Sequence, residues 1–315
     1  MKSSIFWNVG CDILAIFTKP KLQEGLAIPV KVVGIPHYVG ALVSGTELSP
    51  DALRKAGLIT QLQQSGIEVE DIGNMQLPDY LPRHNMPPVR NWPAPRMIWD
   101  LLQKEAYEWF DSKDFVVMLG GDCSTMVGTA LAHKERYGEK AYLVVIDGHF
   151  DAVVPVASRS IGAAGMGLWF LLEDKGTWIM PSGWTSDRIK VIGCQRMPEV
   201  TYGVDVLTLD ELSGDHLVER MTAVMRSIPA DAKILVHFDV DVMHKQAMTA
   251  AYSPSETGLS LQEAQSVLDT VLSDSRVVGM EVTEFSALRD TDGEQAERLV
   301  QLISSAVANQ IRAQS

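Results

Sequence analysis

Six short runs rich in β-branched and aliphatic residues punctuate the chain: Val30–Ile35, Phe115–Leu119, Tyr142–Ile146, Ile189–Ile192, Lys233–Phe238 and Val277–Val282. Most are apolar throughout, not on alternate positions, as in strands covered on both faces. Amphipathic segments lie between them: Ser49–Ala56, Trp99–Trp109, Thr125–Arg136, Leu217–Ser227, Ser260–Leu272 and Gly293–Arg312. Ser49 reads as an N-cap with Pro50 at the first helical position. This alternation predicts an α/β fold with a mainly parallel central sheet between helices. Two stretches read as irregular: Leu77–Arg96, with six prolines, and the small-residue-rich Pro155–Gly167. Length alone suggests about two domains. However, no repeat, low-complexity tract or Ser/Pro-rich linker divides the chain, so residues 1–315 read as a single domain.

The formal net charge is −13. That excess argues against a nucleic-acid or anionic-membrane partner and suits cations, either metal ions or a cationic substrate. Three scattered cysteines, Cys11, Cys123 and Cys194, form no disulfide framework and fit a reducing compartment. The apolar stretch Ile5–Phe17 is interrupted by Asn8, Gly10 and Asp12 and leads to no small-residue cleavage site. No run of about 18 apolar residues suggests a membrane span. These features predict a soluble, cytoplasmic protein.

Two acidic clusters follow apolar strands. Leu143-Val-Val-Ile-Asp147-Gly-His149-Phe-Asp151 ends in polar groups at alternate positions, and Ile234-Leu-Val-His237-Phe-Asp239-Val-Asp241 repeats the pattern. Alternate side chains of an extended segment project to one side, about 7 Å apart. Ligands of open parallel sheets sit beyond the carboxyl ends of the strands, so both clusters should meet on one rim. Four converging carboxylates repel one another unless cations neutralise them. Carboxylates with imidazole suit Mn, Zn, Ni or Fe better than Ca. Two such ions would lower the pKa of a shared water and supply hydroxide near neutral pH.

A third strand runs into Gly120-Gly121-Asp122-Cys123-Ser124 before a helix, which places Cys123 where a ligand can reach the rim. A fourth, Val277-Val-Gly-Met-Glu281-Val-Thr-Glu284, brings Glu281 to a strand end where it can bind a cationic group. Gly120-Gly121-Asp122 lacks the chemistry of a phosphate loop.

The ordered set resembles the arginase/agmatinase (ureohydrolase) family. That family's pattern is Gly-Gly-Asp-His-Ser, Asp-Ala-His-x-Asp, Ser-x-Asp-x-Asp and a Glu on the last core strand. The corresponding residues here are Gly120–Ser124, Asp147–Asp151, His237–Asp241 and Glu281; Gly34-Ile-Pro, Gly40, Gly45, Pro50 and Leu53-Arg54 look like the family's opening. The resemblance implies a three-layer αβα sandwich holding two divalent metals, commonly Mn. Asp147 and Asp239 would bridge them, His149 and Asp241 would complete one position, and Asp151 with Cys123 the other. Asp151 would also hold the attacking hydroxide, and Glu281 would pair with the guanidinium of the substrate. Urea and an amine would result, and a homo-oligomer is implied.

The chain departs from the family pattern in three places. Cys123 replaces a metal-binding His and favours Zn, Ni or Fe, with His237 or His244 as possible substitutes. Ser160–Gly167 lacks the Asn and His of the family's Ser-Gly-Asn-x-His-Gly stretch, and His244-Lys245 replaces an Asp-Pro. Without groups for a free amino acid head, the expected substrate is a small guanidino compound or an arginine within a peptide. A related amidine or formimino hydrolase, or a non-catalytic relative, are the alternatives.

Overall fold

The computed structural model describes residues 29–110, 114–212, 214 and 216–314; Cys11 and the Ile5–Phe17 stretch lie outside them. Strands alternate with helices along the chain. The strands are β1 (Val30–Gly34), β2 (Val69–Asn74), β3 (Arg83–His84), β4 (Trp92–Pro93), β5 (Phe115–Leu119), β6 (Ala141–Ile146), β7 (Ile189–Cys194), β8 (Asp205–Thr208), β9 (Lys233–Asp239) and β10 (Val277–Thr283). The helices are α1 (Ser49–Lys55), α2 (Leu58–Gln64), α3 (Ala94–Trp109), α4 (Thr125–Tyr137), α5 (Gly167–Leu172), α6 (Leu209–Leu212), α7 (Leu217–Ser227), α8 (Leu261–Leu272) and α9 (Glu294–Gln314).

Eight strands form one parallel sheet in the order β2-β1-β5-β10-β9-β6-β7-β8, and β3 and β4 pair separately as a short antiparallel ribbon. The chain lays down β5 and β6 first, and β9 and β10 then insert between them. All six predicted strands are present. Four were missed: β3 and β4 fall in the Pro-rich stretch read as irregular, and β2 and β8 are the large sheet's edges, where polar and half-exposed residues erase the apolar signal.

Strand parity sorts side chains into two cores, which makes the three-layer αβα sandwich. Phe115, Val117, Tyr142, Val144, Ile234, Val236, Phe238, Met280 and Val282 face α1, α2, α7, α8 and α9. Val116, Met118, Leu143, Val145 and Leu235 face α3, α4 and α5. Burial on both sides is why the central strands read as unbroken apolar runs. His237 shares the parity of Leu235, so an imidazole enters the second core.

Three local expectations shift. Ser49 is the first residue of α1 and Leu48 is its N-cap. The α3 helix starts at Ala94, inside the Pro-rich stretch, because prolines are tolerated in a helix's first turn. Ser260 caps α8 in a full capping box with Glu263.

Helices α3 and α4 pack closely at Gly128, where a Cβ would lie 2.6 Å from Leu102 Cβ and 3.0 Å from Trp99 O. Gly128→Val should therefore overpack this contact and cost about 1–3 kcal/mol. Chemical denaturation should show a lowered midpoint, and an unchanged one would refute the contact's importance.

Candidate metal centre

Four adjacent central strands, β5, β10, β9 and β6, deliver the candidate residues at their C-terminal ends. After β5, Gly120 and Gly121 have φ of 88° and 83°, a left-handed pair that turns the chain sharply into α4. Asp122 does not face the rim chemistry. It accepts from Gly40 N at 2.9 Å and from Ser124 N at 3.0 Å, with His37 Nδ1 at 3.4 Å, and so fixes the turn. That turn points Cys123 at the acidic residues.

Asp147 directly follows β6, and Asp239 ends β9. Their side chains brace their own turns: Asp147 Oδ1 accepts from His149 N at 2.6 Å, and Asp239 Oδ1 from Asp241 N at 2.7 Å. His149 Nδ1 lies 3.0 Å from Asp241 Oδ2. Cys123 Sγ donates to Asp239 Oδ2 at 2.8 Å and lies 3.4 Å from both His237 Nε2 and Thr283 Oγ1. Asp151 lines the same cavity and, like Glu284, holds a left-handed backbone, with φ of 46° and 62°. Such strain in non-glycine residues concentrates at functional sites.

Burial pushes the Asp147 carboxyl up to about 7, with the Asp241 charge adding to it. Asp151, Asp239 and Glu284 are driven well above the usual carboxylate range, first by burial and then by neighbouring carboxylates, chiefly Asp147 for Asp151, Asp241 for Asp239 and Asp122 for Glu284. The Cys123 thiol rises for the same two reasons. In the opposite sense, the hydrogen bond to Asp241 holds His149 protonated up to about 10. Burial and mutual repulsion thus favour the protonated carboxyls of this cluster.

The residues fit divalent cations. Asp147 Oδ2, Asp241 Oδ1 and Glu284 Oε2 are buried without a hydrogen-bond partner, a costly state that a cation would relieve. Donor atoms of Cys123, Asp147 and His237 lie within 4.8 Å of one another, as do those of Asp147, His149 and Asp241, so the two groups share Asp147. Asp239 joins the first group through Cys123, while Asp151 approaches from the cavity wall.

One predicted residue is displaced. Glu281 was expected at a strand end, yet β10 continues two residues further. It lies fully buried in the sheet, with Oε1 2.7 Å from His237 Nδ1 and Oε2 accepting from Thr129 Oγ1 at 2.7 Å, and it does not line the cavity. Glu284, the first residue past β10, reaches the cavity instead, and its Oε1 accepts from Cys123 N at 2.7 Å. The rule that found Asp147, the first residue beyond a strand, points to Glu284 as well. His237 joins the cluster from mid-strand, and His244 belongs to neither donor group.

The cavity above these residues has a volume of about 850 Å³. Ile161, Gly162, Ala164 and Gly165 form one wall, from the stretch predicted to be irregular, while Arg90, Arg196 and Tyr252 also border it. Among the described residues no helix is long and apolar enough to cross a membrane.

A sequence model of the arginase family matches residues 28–308. An arginase from Coccidioides posadasii is 25% identical, over 84% of this chain and 92% of its own. An Entamoeba histolytica arginase crystallised with L-ornithine superposes with a TM-score of 0.79 at 20% identity, covering 89% of this chain and 98% of its own. A Trypanosoma cruzi formiminoglutamase variant with Mn²⁺ gives 0.71 at 16% identity, over 92% and 96%. At such identities the structural likenesses establish the fold.

Because folding raises Asp147 from 3.8 to about 7, the folded chain holds a proton there that the unfolded chain has lost. Its contribution to the stability of metal-stripped protein is present below 3.8 and lost as pH rises through about 7. The Tm gain from a saturating divalent ion should accordingly be larger above about pH 7 than well below it. Asp147→Asn should remove most of that gain. Thermal unfolding of chelator-treated protein decides, and a gain independent of both pH and Asp147 would contradict this account.

Proposed function

The chain belongs to the arginase family, and we propose that it is a metal-dependent hydrolase cleaving the C–N bond of a guanidino substrate to give urea and an amine. The observation carrying this reading is the convergence of Asp147, His149, Asp239, Asp241 and Cys123 beneath a cavity that Glu284 also lines. Two divalent ions held by these residues would supply an activated water near neutral pH. Asp147 would serve both positions, with His149 and Asp241 on one side and Cys123 and Asp239 on the other.

The remaining roles fall to side chains on the cavity. Glu284 Oε2 is buried and unpartnered, a free acceptor for the N–H groups of a guanidinium. Orienting the cation there presents its central carbon to the water. With divalent ions neutralising the cluster Asp151 would be ionised, and its carboxylate accepts a water proton and passes it to the departing amine nitrogen as the tetrahedral intermediate collapses. Guanidinium plus water then balances as urea plus an alkylammonium. Glu284 takes the place first assigned to Glu281.

The substrate is larger than free arginine. The cavity, about 850 Å³, lies towards the upper end of small-molecule sites. Its Ile161–Gly165 wall carries no Asn or His to recognise a free amino acid head, and Arg90 and Arg196 can meet anionic groups. An arginine side chain within a peptide, or a modified guanidino compound larger than arginine, suits such a space. The chain works as one domain in the cytoplasm, as a homo-oligomer.

Urea release should be measured with arginine, agmatine, guanidinobutyrate and arginine-containing peptides. Turnover should favour the arginine-containing peptides over arginine, agmatine and guanidinobutyrate, and robust turnover of arginine alone would sink the substrate assignment. Formamide or ammonia from formimino compounds, without urea, would point to the chemistry named in the formiminoglutamase relative. Glu284→Gln should cost about 2–5 kcal/mol in kcat/KM, roughly 30- to 4,000-fold, as expected for one partner of a buried charged pair.

A further inference from the structure

A line of polar groups crosses the apolar layer between the sheet and α4. Thr129 Oγ1 donates to Glu281 Oε2 at 2.7 Å, and Glu281 Oε1 lies 2.7 Å from His237 Nδ1. At the other side of the ring, Nε2 is 3.4 Å from Cys123 Sγ. Glu281, His237 and Thr129 are each 0% exposed. Burying an imidazole–carboxylate pair among apolar side chains costs more than filling the space with hydrocarbon, so stability alone does not account for it.

The hydrogen bonds determine which nitrogen is available. A carboxylate has only acceptors, so Nδ1 carries the proton directed at Glu281. A ligating ring held this way would offer its lone pair at Nε2, which lies 3.4 Å from both Cys123 Sγ and Thr283 Oγ1. A carboxylate holding the far nitrogen of a ligating histidine is a recurrent support of metal sites. Independently, Asp147, whose Oδ2 is buried and unpartnered, belongs to the same donor group.

We propose that His237 is a metal ligand: with Cys123 Sγ and Asp147 it forms a mixed nitrogen, sulfur and oxygen position for a borderline-soft divalent ion such as Zn or Co. This rests on the metal-dependent function above. The imidazole comes from the middle of β9 and not from the β5–α4 turn. The thiol occupies the turn, and the two side chains meet across sheet and helix. Glu281 and Thr129 are positioning residues that fix the ring's tautomer and direction. A purely nucleophilic Cys123–His237–Glu281 arrangement fits less well, because the thiol already donates to Asp239 and is surrounded by carboxylates.

The test uses the full chain stripped of metal and titrated with Co²⁺, Zn²⁺ and Mn²⁺. The Co²⁺ protein should show a thiolate-to-cobalt charge-transfer band in the near ultraviolet, lost in Cys123→Ser. His237→Gln and Glu281→Gln should keep the band and weaken Co²⁺ binding about 10- to 100-fold. Nearly any such site prefers Zn to Mn, so that ratio in the unaltered protein decides nothing. Its fall by about tenfold or more in Cys123→Ser would support the thiolate ligand.

Absence of the band in the unaltered Co²⁺ protein overturns the proposal without needing any variant to fold. So does unchanged Co²⁺ affinity in both His237→Gln and Glu281→Gln. If either result accompanies intact urea release, the ligand assignment fails and the function stands. If the band and the affinity losses appear but no guanidino compound is cleaved, the function fails and the ligand set stands.

Discussion

Mutual repulsion among buried carboxylates is the constraint on which the rest of this molecule depends. Asp147, Asp239, Asp241 and Glu284 are each nearly inaccessible to water, and Asp151 approaches the same space from the cavity wall. Low polarity strengthens repulsion between like charges and also penalises each charge separately. The isolated protein answers by holding protons on several of them and a positive charge on His149. Divalent ions would do the same more completely, because each brings two charges to atoms that lack partners. Ion binding and fold stability would therefore be one linked equilibrium.

The scaffold tolerates this load because the sheet beneath it is covered on both faces. The β5, β6 and β9 strands are buried nearly throughout, and their parity divides apolar side chains between two cores. The polar residues are confined to the strand ends, with one exception. His237 and Glu281 are cross-strand partners inside the second core, joined to α4 through Thr129. That intrusion breaks the apolar pattern of β9 and β10 at one level of the sheet and leads directly to Cys123.

Much of the site was legible in the chain. Alternate acidic residues after an apolar run identify Asp147, Asp151, Asp239 and Asp241, because strand geometry and the carboxyl-end rule require only local information. The glycine pair before Cys123 carries its own signal, since successive left-handed residues suit glycine. Glu281 misled because the length of β10 decides which glutamate emerges, and apolar pattern does not fix a strand's last residue. The sequence offered His237 only as one of two possible substitutes for a ligand, for a related reason. Within Ile234–Phe238 it reads as one polar residue in a buried strand, and its partners lie 44 and 114 residues away in the sequence.

The sequence by itself determined the layered α/β architecture, the central strands and the acidic ends of β6 and β9. Those follow from periodicity and from the geometry of a single strand. Only the tertiary structure decided that β9 and β10 insert between β5 and β6, since strand order depends on long-range packing that no local pattern encodes. That insertion brings Glu284 to the Cys123 amide across 161 residues of chain and sets Glu281 behind His237. It also joins four strand ends into one basin, where separate acidic residues become a cluster that calls for cations.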